Sequence, residues 1–355
     1  MNFEQVSFDT PGVRETWHRL LDASDASTTS FFQTWEWNAA WWRVYGEPDR
    51  RKDLWLMRID DVHGPTAFCP LYRQRRTVGR TPIWTHLLWI GHELSPYPDL
   101  VNASAEPGEL WRGIIDAACA REGGGWLELH DIGEEHPLMH WRADGIRVFT
   151  EEQEPVLHWD IPPSPEAHSG VLERVRPQFR RNIRKAIRAF ESHGTLSWRF
   201  RSGADAEAMR ALTDLNGRRF RRRSFFSSQA NRDFYHQLVT LAPDALFFST
   251  LSEADRIIHV LAGFEYRNVL YYFMAGMDES FLAVQPGVMN FYFTLTHAAE
   301  HGYRRFDFLR GTERYKYDLG AEPHRRFRVC IVPESSLAIF QTVLRLRHIR
   351  RRVHL

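Results

Sequence analysis

Cysteine and lysine are both scarce in this sequence, and each shortage narrows what the chain can be. Three cysteines stand among 355 residues, Cys69, Cys119 and Cys330, far apart and odd in number. That spacing supports neither a disulfide framework nor a CxxC metal knuckle, and it suits a reducing compartment. Lysine occurs only at Lys52, Lys185 and Lys316, so almost all of the 46 basic residues are arginine. No sign of charge is in excess either. The 46 Lys+Arg oppose 45 Asp+Glu, which argues against a protein that coats nucleic acid over its whole surface. A membrane span needs a run of about 18 apolar residues, and the sequence has none. The first ten residues carry acids and no apolar h-region, so no signal peptide is expected. The motifs GxxxxGK[ST], GxGxxG, HExxH and GxSxG are all missing, which removes their nucleotide, zinc and serine-hydrolase chemistries. His136 and His140 stand four apart, but Pro137 intervenes and no third ligand is near, so no metal is expected. These exclusions leave a soluble, cytoplasmic protein as the expectation.

What is present is an ordinary globular composition, 43% hydrophobic and 26% charged, with 13 Trp and 24 Phe. The length suggests two domains with an aromatic-rich core. In the first half, apolar periodicity predicts a helix over Phe31–Tyr45, strands at Leu54–Ile59, Thr66–Tyr72 and Thr85–Ile90, a helix over Glu109–Arg121 and a strand at Trp126–His130. Pro155–Pro165, with prolines at 162, 163 and 165, reads as a linker. The second half predicts helices at Gln178–Ser192, Ala206–Arg222 and Asn231–Leu241. Three antiparallel strands follow, Leu246–Leu251, Ile257–Glu265 and Val269–Met274, with a tight turn at Tyr266–Asn268. Pro286-Gly287 opens a helix that Gly302 closes, and strands Arg305–Leu309 and Phe327–Val332 are expected to finish that sheet. Each half thus runs helix, strands, helix, strand. The reading is a duplicated α+β fold: residues 1–160, residues 161–335, and a basic tail over 336–355.

The run Phe306-Asp-Phe-Leu-Arg-Gly-Thr-Glu-Arg-Tyr-Lys-Tyr-Asp-Leu-Gly-Ala321 resembles the C-terminal signature of the CelD/BcsL-like acetyltransferases, a branch of the GNAT superfamily related to the FemABX peptidyltransferases. Phe32-Gln-Thr-Trp-Glu-Trp, Ala67-Phe-Cys-Pro-Leu-Tyr-Arg and Ser95-Pro-Tyr-Pro-Asp-Leu are also similar to that family. The resemblance implies tandem GNAT domains, each a mixed and mostly antiparallel sheet flanked by helices. It implies an acyl donor, either acyl-CoA or aminoacyl-tRNA, and an amine acceptor that is a small molecule, a peptide or a sugar. One departure stands out. Where GNAT enzymes carry a Gln/Arg-x-x-Gly-x-Gly/Ala loop under the CoA pyrophosphate, Gln285-Pro-Gly-Val-Met offers one glycine.

Individual residues then acquire candidate roles. The helix start at Gln285, Gly287, Val288 and Met289 would present N–H donors and a positive dipole end to a phosphate. Ala275 or Gly276 would polarise the donor carbonyl through a strand amide, and Arg310 is counted with the donor contacts. Lys316, next to Tyr315, would stabilise a developing oxyanion or touch phosphate; otherwise it is a solvated lysine. Asp307 alternates with Phe306 and Phe308, so it is a candidate base or amine-orienting anion, with Glu313 as its rival. Tyr315 and Tyr317 would donate a proton to the leaving group. Basic residues cluster over 174–188 and 218–223. On the Gln178–Ser192 helix, Phe179, Ile183, Ile187 and Phe190 form the apolar stripe and leave the cations outside it. These clusters suit CoA, tRNA, a nucleotide-linked sugar or a membrane surface, or form a solvated face. With the Arg-rich tail, peripheral contact with the inner face of the membrane is open. So is a catalytically silent GNAT-like scaffold.

Overall fold

The computed structural model describes residues 1–78, 81–103, 107–119, 125–162 and 170–353. The chain divides into two compact units. Unit 1 is Met1–Gln153 with Arg325–Leu355, and unit 2 is Glu154–His324. None of the described helices is long and apolar enough to cross a membrane.

Unit 1 holds strands β1 (Asn2–Val6), β2 (Lys52–Asp61), β3 (Gly64–Val78), β4 (Thr81–Trp89), β5 (Val101–Asn102), β6 (Gly125–Gly133) and β7 (Ile146–Glu152). Its helices are α1 (Val13–Ala23), α2 (Trp35–Trp41) and α3 (Pro107–Cys119). The strand Arg326–Pro333 also lies in this sheet, between β6 and β7. Alternation fixes the register: Trp55, Met57 and Ile59 pair with Leu71, Cys69 and Ala67, and all six enter one core. The expected helix over Phe31–Tyr45 is broken into a 3-10 turn, α2 and a π turn. Thr34 explains the first break, because its hydroxyl caps α2 by accepting the Trp37 N–H. Arg121, the expected end of the next helix, lies outside the described residues.

Unit 2 follows the same plan. Its strands are β8 (Val156–Asp160), β9 (Leu196–Ser202), β10 (Leu246–Glu253), β11 (Arg256–Tyr266), β12 (Val269–Met277), β13 (Arg305–Arg310) and β14 (Glu322–His324). Their order in the sheet is β14-β8-β13-β12-β11-β10-β9. The helices are α4 (Val171–Arg174), α5 (Pro177–His193), α6 (Ala206–Phe220), α7 (Gln229–Leu241), α8 (Pro286–Glu300) and α9 (Arg314–Asp318). The three expected antiparallel strands are β10, β11 and β12. Arg267 and Asn268 both have positive φ, as a two-residue hairpin turn requires. In each unit one parallel ladder interrupts the antiparallel pairing, β4 with β6 and β12 with β13, and each ladder is three residue pairs long. The architecture is α+β, two mixed sheets flanked by helices.

Three expectations change. The stretch read as a linker contains β8, buried along most of its length and paired with β13 and β14; Pro163 and Pro165 lie outside the described residues. The strand read as Phe327–Val332, now β15 (Arg326–Pro333), joins the first sheet instead of finishing the second. Val329 and Ile331 belong to the unit 1 core, and Arg328 pairs with the buried Glu128 on β6 at 3.2 Å. The boundaries therefore fall at 153/154 and 324/325, where 160/161 and 335/336 were expected. The basic tail is helix α10 (Leu337–Val353), whose Phe340 and Val343 pack on Trp126, Cys330 and Val332.

Candidate functional site

In unit 2 the ladder between β12 and β13 holds only Val269↔Arg305, Leu270↔Phe306 and Tyr271↔Asp307. Beyond it both strands leave the regular pleat. On β12, pairing with β11 slips between Ala262 and Gly263, so Phe273 is the extra residue of a bulge. Gly263 permits this approach, since a Cβ there would stand 1.9 Å from the Tyr271 carbonyl oxygen. On β13 the register with β8 shifts between Asp307 and Arg310, with Leu309 at φ 58° and Gly311 at φ 120°. Asp307 builds that departure. It is fully buried, and its Oδ1 accepts the Leu309 N–H at 2.8 Å, a local bond that competes with the ladder. The result is a wedge between two parallel strands, with the far end of β12 freed from β13.

Two tyrosines face one another in the wedge. Tyr272 follows the last ladder residue of β12, and Tyr315 comes from α9. The Tyr315 and Tyr272 hydroxyls are hydrogen-bonded to one another. Phe291 packs on both rings, at 5.1 Å from Tyr272 and 5.3 Å from Tyr315. Burial pushes the Tyr272 phenol up to about 12, against the opposing effect of the bond with Tyr315. Burial, then the proximity of Tyr272 and Glu313, raises Tyr315 further. Both hydroxyls keep their protons near neutrality and act as donors.

Lys316 is not solvated: it is 2% exposed. Its Nζ donates to the Arg310 carbonyl at 2.5 Å and meets Glu313 Oε2 at 2.9 Å, so it staples the loop from β13 to α9. Gly311 is required beneath it, since a Cβ there would lie 2.7 Å from Nζ. Glu313 remains more than half exposed. Arg310 therefore contributes its carbonyl to this staple. On β12, the Ala275 carbonyl accepts from Asn216 Nδ2 of α6 at 2.8 Å, and α6 packs so closely that a Cβ on Gly276 would meet Leu215 at 2.9 Å.

Of the four donors expected at the start of α8, two are already taken. The Gln285 N–H bonds to the Leu282 carbonyl at 3.0 Å, and the Met289 N–H to the Gln285 carbonyl at 3.2 Å. Gly287 and Val288 remain as the first-turn N–H groups that lack intrahelical acceptors. Beside them stands His259 of β11, whose Nε2 lies 3.5 Å from the position a Gly287 Cβ would occupy. Burial, aided by the charge of Arg219, lowers His259 to about 3, so the imidazole is neutral. Arg219, from the end of α6, lies 3.9 Å from both Met277 Sδ and Glu279, and its charge is felt by His259, Tyr272 and Tyr315.

The structure thus gathers Tyr315, Glu313, Lys316, Arg310 and Asp307 at the end of β13, with Gly287 and Val288 at the end of α8. Sequence reading missed Tyr272, His259 and Arg219. Arg219 was hidden within an arginine run, whereas His259 showed one signal, a polar residue inside the apolar run Ile257–Phe264. His136 is a helix cap, its Nδ1 accepting the Leu138 N–H. The apolar stripe of α5 faces inward as expected and leaves Arg181, Arg184, Lys185 and Arg188 exposed. Unit 1 differs at its own ladder. There Glu128 pairs with Arg328, while His130 stacks on His92 at 4.9 Å and bonds to Gln153.

Residues 177–317 match the acetyltransferase (GNAT) domain family. The whole chain is similar in structure to FemX, with a TM-score of 0.63 at 10% identity over 96% of this chain and 99% of FemX. It is also similar to a conserved protein of unknown function from Bacteroides thetaiotaomicron, with a TM-score of 0.56 at 11% identity over 94% of this chain and 99% of that one. The C-terminal domain of a putative lysylphosphatidylglycerol synthetase from Agrobacterium fabrum gives 0.50 at 11% identity, over 93% and 96% of the two chains. No curated protein matches the sequence. At these identities the structural likenesses establish the fold alone. Unit 2 thus carries a stretch that matches the acetyltransferase (GNAT) domain family, and the chain shares its fold with FemX.

Proposed function

We propose that unit 2 transfers an acyl group from acyl-CoA to an amine by direct attack, with the donor in the wedge between β12 and β13. The observation that carries this reading is the three-pair ladder that opens toward the Tyr272–Tyr315 pair, with the free N–H groups of α8 in the same unit. The donor phosphates rest on Gly287 and Val288 N–H, where the helix dipole and backbone donors favour an anion. An amide of β12 near Ala275 or Gly276 polarises the thioester carbonyl. The amine attacks that carbonyl, the tetrahedral oxyanion collapses, and Tyr315 delivers its proton to the departing thiolate. Tyr272, hydrogen-bonded to Tyr315, positions that hydroxyl. Glu313, the exposed carboxylate of the group, takes the proton from the attacking ammonium. Asp307 and Lys316 hold the end of β13 and the α9 loop in place. The acceptor is an amine of a small molecule, peptide or sugar. The test is release of free thiol from acyl-CoA with a panel of amines. Tyr315→Phe should lower kcat by roughly 10²–10⁴-fold with the fold intact, the usual contribution of a positioned acid. Absence of both CoA binding by calorimetry and thiol release would overturn the reading.

One observation favours a second donor, aminoacyl-tRNA. Arg181, Arg184, Lys185 and Arg188 form an exposed cationic face on α5, and such a face binds polyanions. RNA that copurifies with the protein and leaves at high salt would support this donor over acyl-CoA.

A further inference from the structure

Beneath α8 runs a polar network, buried at Ser249, Asn290 and His259 and half-buried at Trp198. Asn290 on α8 is its centre, with no exposed surface. The amide can sit only one way round. Its Oδ1 faces Trp198 Nε1 at 3.1 Å, and an indole N–H can only donate. The Ser249 hydroxyl donates to the same oxygen at 2.5 Å. Its Nδ2 faces the Ser249 carbonyl at 2.8 Å, which can only accept, and His259 Nδ1 at 3.0 Å. Flipping the amide would set donor against donor and acceptor against acceptor. His259 Nδ1 must therefore accept, and the proton of the neutral ring sits on Nε2.

That Nε2–H has no acceptor among the described residues, although the side chain is 2% exposed. It points beside Gly287, at the same end of α8 where the Gly287 and Val288 N–H groups are free. Pro286 supplies no N–H to this turn, and an imidazole N–H stands beside it.

We propose that His259 Nε2–H is a third, uncharged donor to a phosphate oxygen of the acyl donor bound at the N-terminus of α8. The Trp198–Ser249–Asn290 network is the positioning device that fixes its tautomer. This inference rests on the reading that the donor's phosphates lie at α8. The recognised chemistry is a phosphate oxyanion, either the pyrophosphate of coenzyme A or a phosphodiester at the acceptor end of a tRNA.

The experiment uses the full chain and three probes, inorganic pyrophosphate, coenzyme A and total tRNA, with calorimetry and long-range ¹H–¹⁵N NMR of the histidines. In the free protein His259 should show a protonated Nε2 and an unprotonated Nδ1, and the Nε2 signal should move on adding pyrophosphate and whichever of coenzyme A and tRNA is the donor. His259→Phe should weaken binding of that donor by about tenfold or more, the effect of losing one hydrogen bond to a charged group. Asn290→Asp should place the proton on Nδ1 and change the same signal, which tests the network even if His259→Phe does not fold. Binding of coenzyme A or tRNA with the His259 signals unmoved would overturn this inference and leave the proposed donor site standing. Binding of none of the three probes would overturn both.

Discussion

Single residues in this protein are more constrained than their sequence neighbourhood suggests. Asp307 and Lys316 both look like free charges in the signature run, yet each is buried and tied to backbone of the same loop. Sequence alone placed them in the right region but could not see that the main chain claims them, because both bonds depend on the left-handed turn at Leu309 and Gly311. His259 carries the clearest measurable consequence. Its folded value of about 3 lies below the unfolded value of 6.5, so between those limits the unfolded chain binds more protons. Its contribution to stability is complete above about pH 6.5 and falls away as the pH drops toward 3. At pH 5 the loss from this one group is about 2 kcal/mol. Urea midpoints of the parent and of His259→Phe, compared from pH 7.5 to 5, should converge as the pH falls. Parallel curves would remove His259 as the source.

At the scale of elements, the sequence displayed most of what the fold uses. The periodicity of α5, the alternation of β2 and β3, and the hairpin at Arg267–Asn268 are local properties, set by residues within a turn or a strand of one another. The wedge is not local. It needs a bulge on β12 and a bulge on β13 at the same level, and each depends on a different partner strand. Gly263 is the residue on which the β12 bulge turns, and Gly263→Ala tests it. With no room for a methyl group beside the Tyr271 carbonyl, β11 and β12 must part. We expect a loss of about 2–4 kcal/mol in a urea titration, together with weaker donor binding. A variant with unchanged stability would show that the bulge is not held by this contact.

At the scale of the whole molecule, the duplicated plan was legible and its seam was not. Helix, strands, helix, strand repeats along the chain, but the position of β15 depends on pairing across nearly the full sequence. No periodicity reports which of two similar sheets a strand will join, since either would bury Val329 and Ile331. Unit 2 draws all of its strands from the continuous stretch 154–324. That stretch, expressed alone, should fold cooperatively, as judged by circular dichroism and a single thermal transition. A chain ending at residue 324 should leave unit 1 without the strand between β6 and β7. An unfolded 154–324 fragment would mean that unit 2 lacks an independent core.

Because β7 and β15 are antiparallel neighbours, unit 2 is in effect the loop of a hairpin. During synthesis β7 leaves the ribosome early and must wait until Arg326 has been made before its partner exists. Unit 2 can finish folding in that interval, whereas unit 1 closes only once Arg326–Pro333 has been made. The half of the protein that is made first is therefore the half completed last.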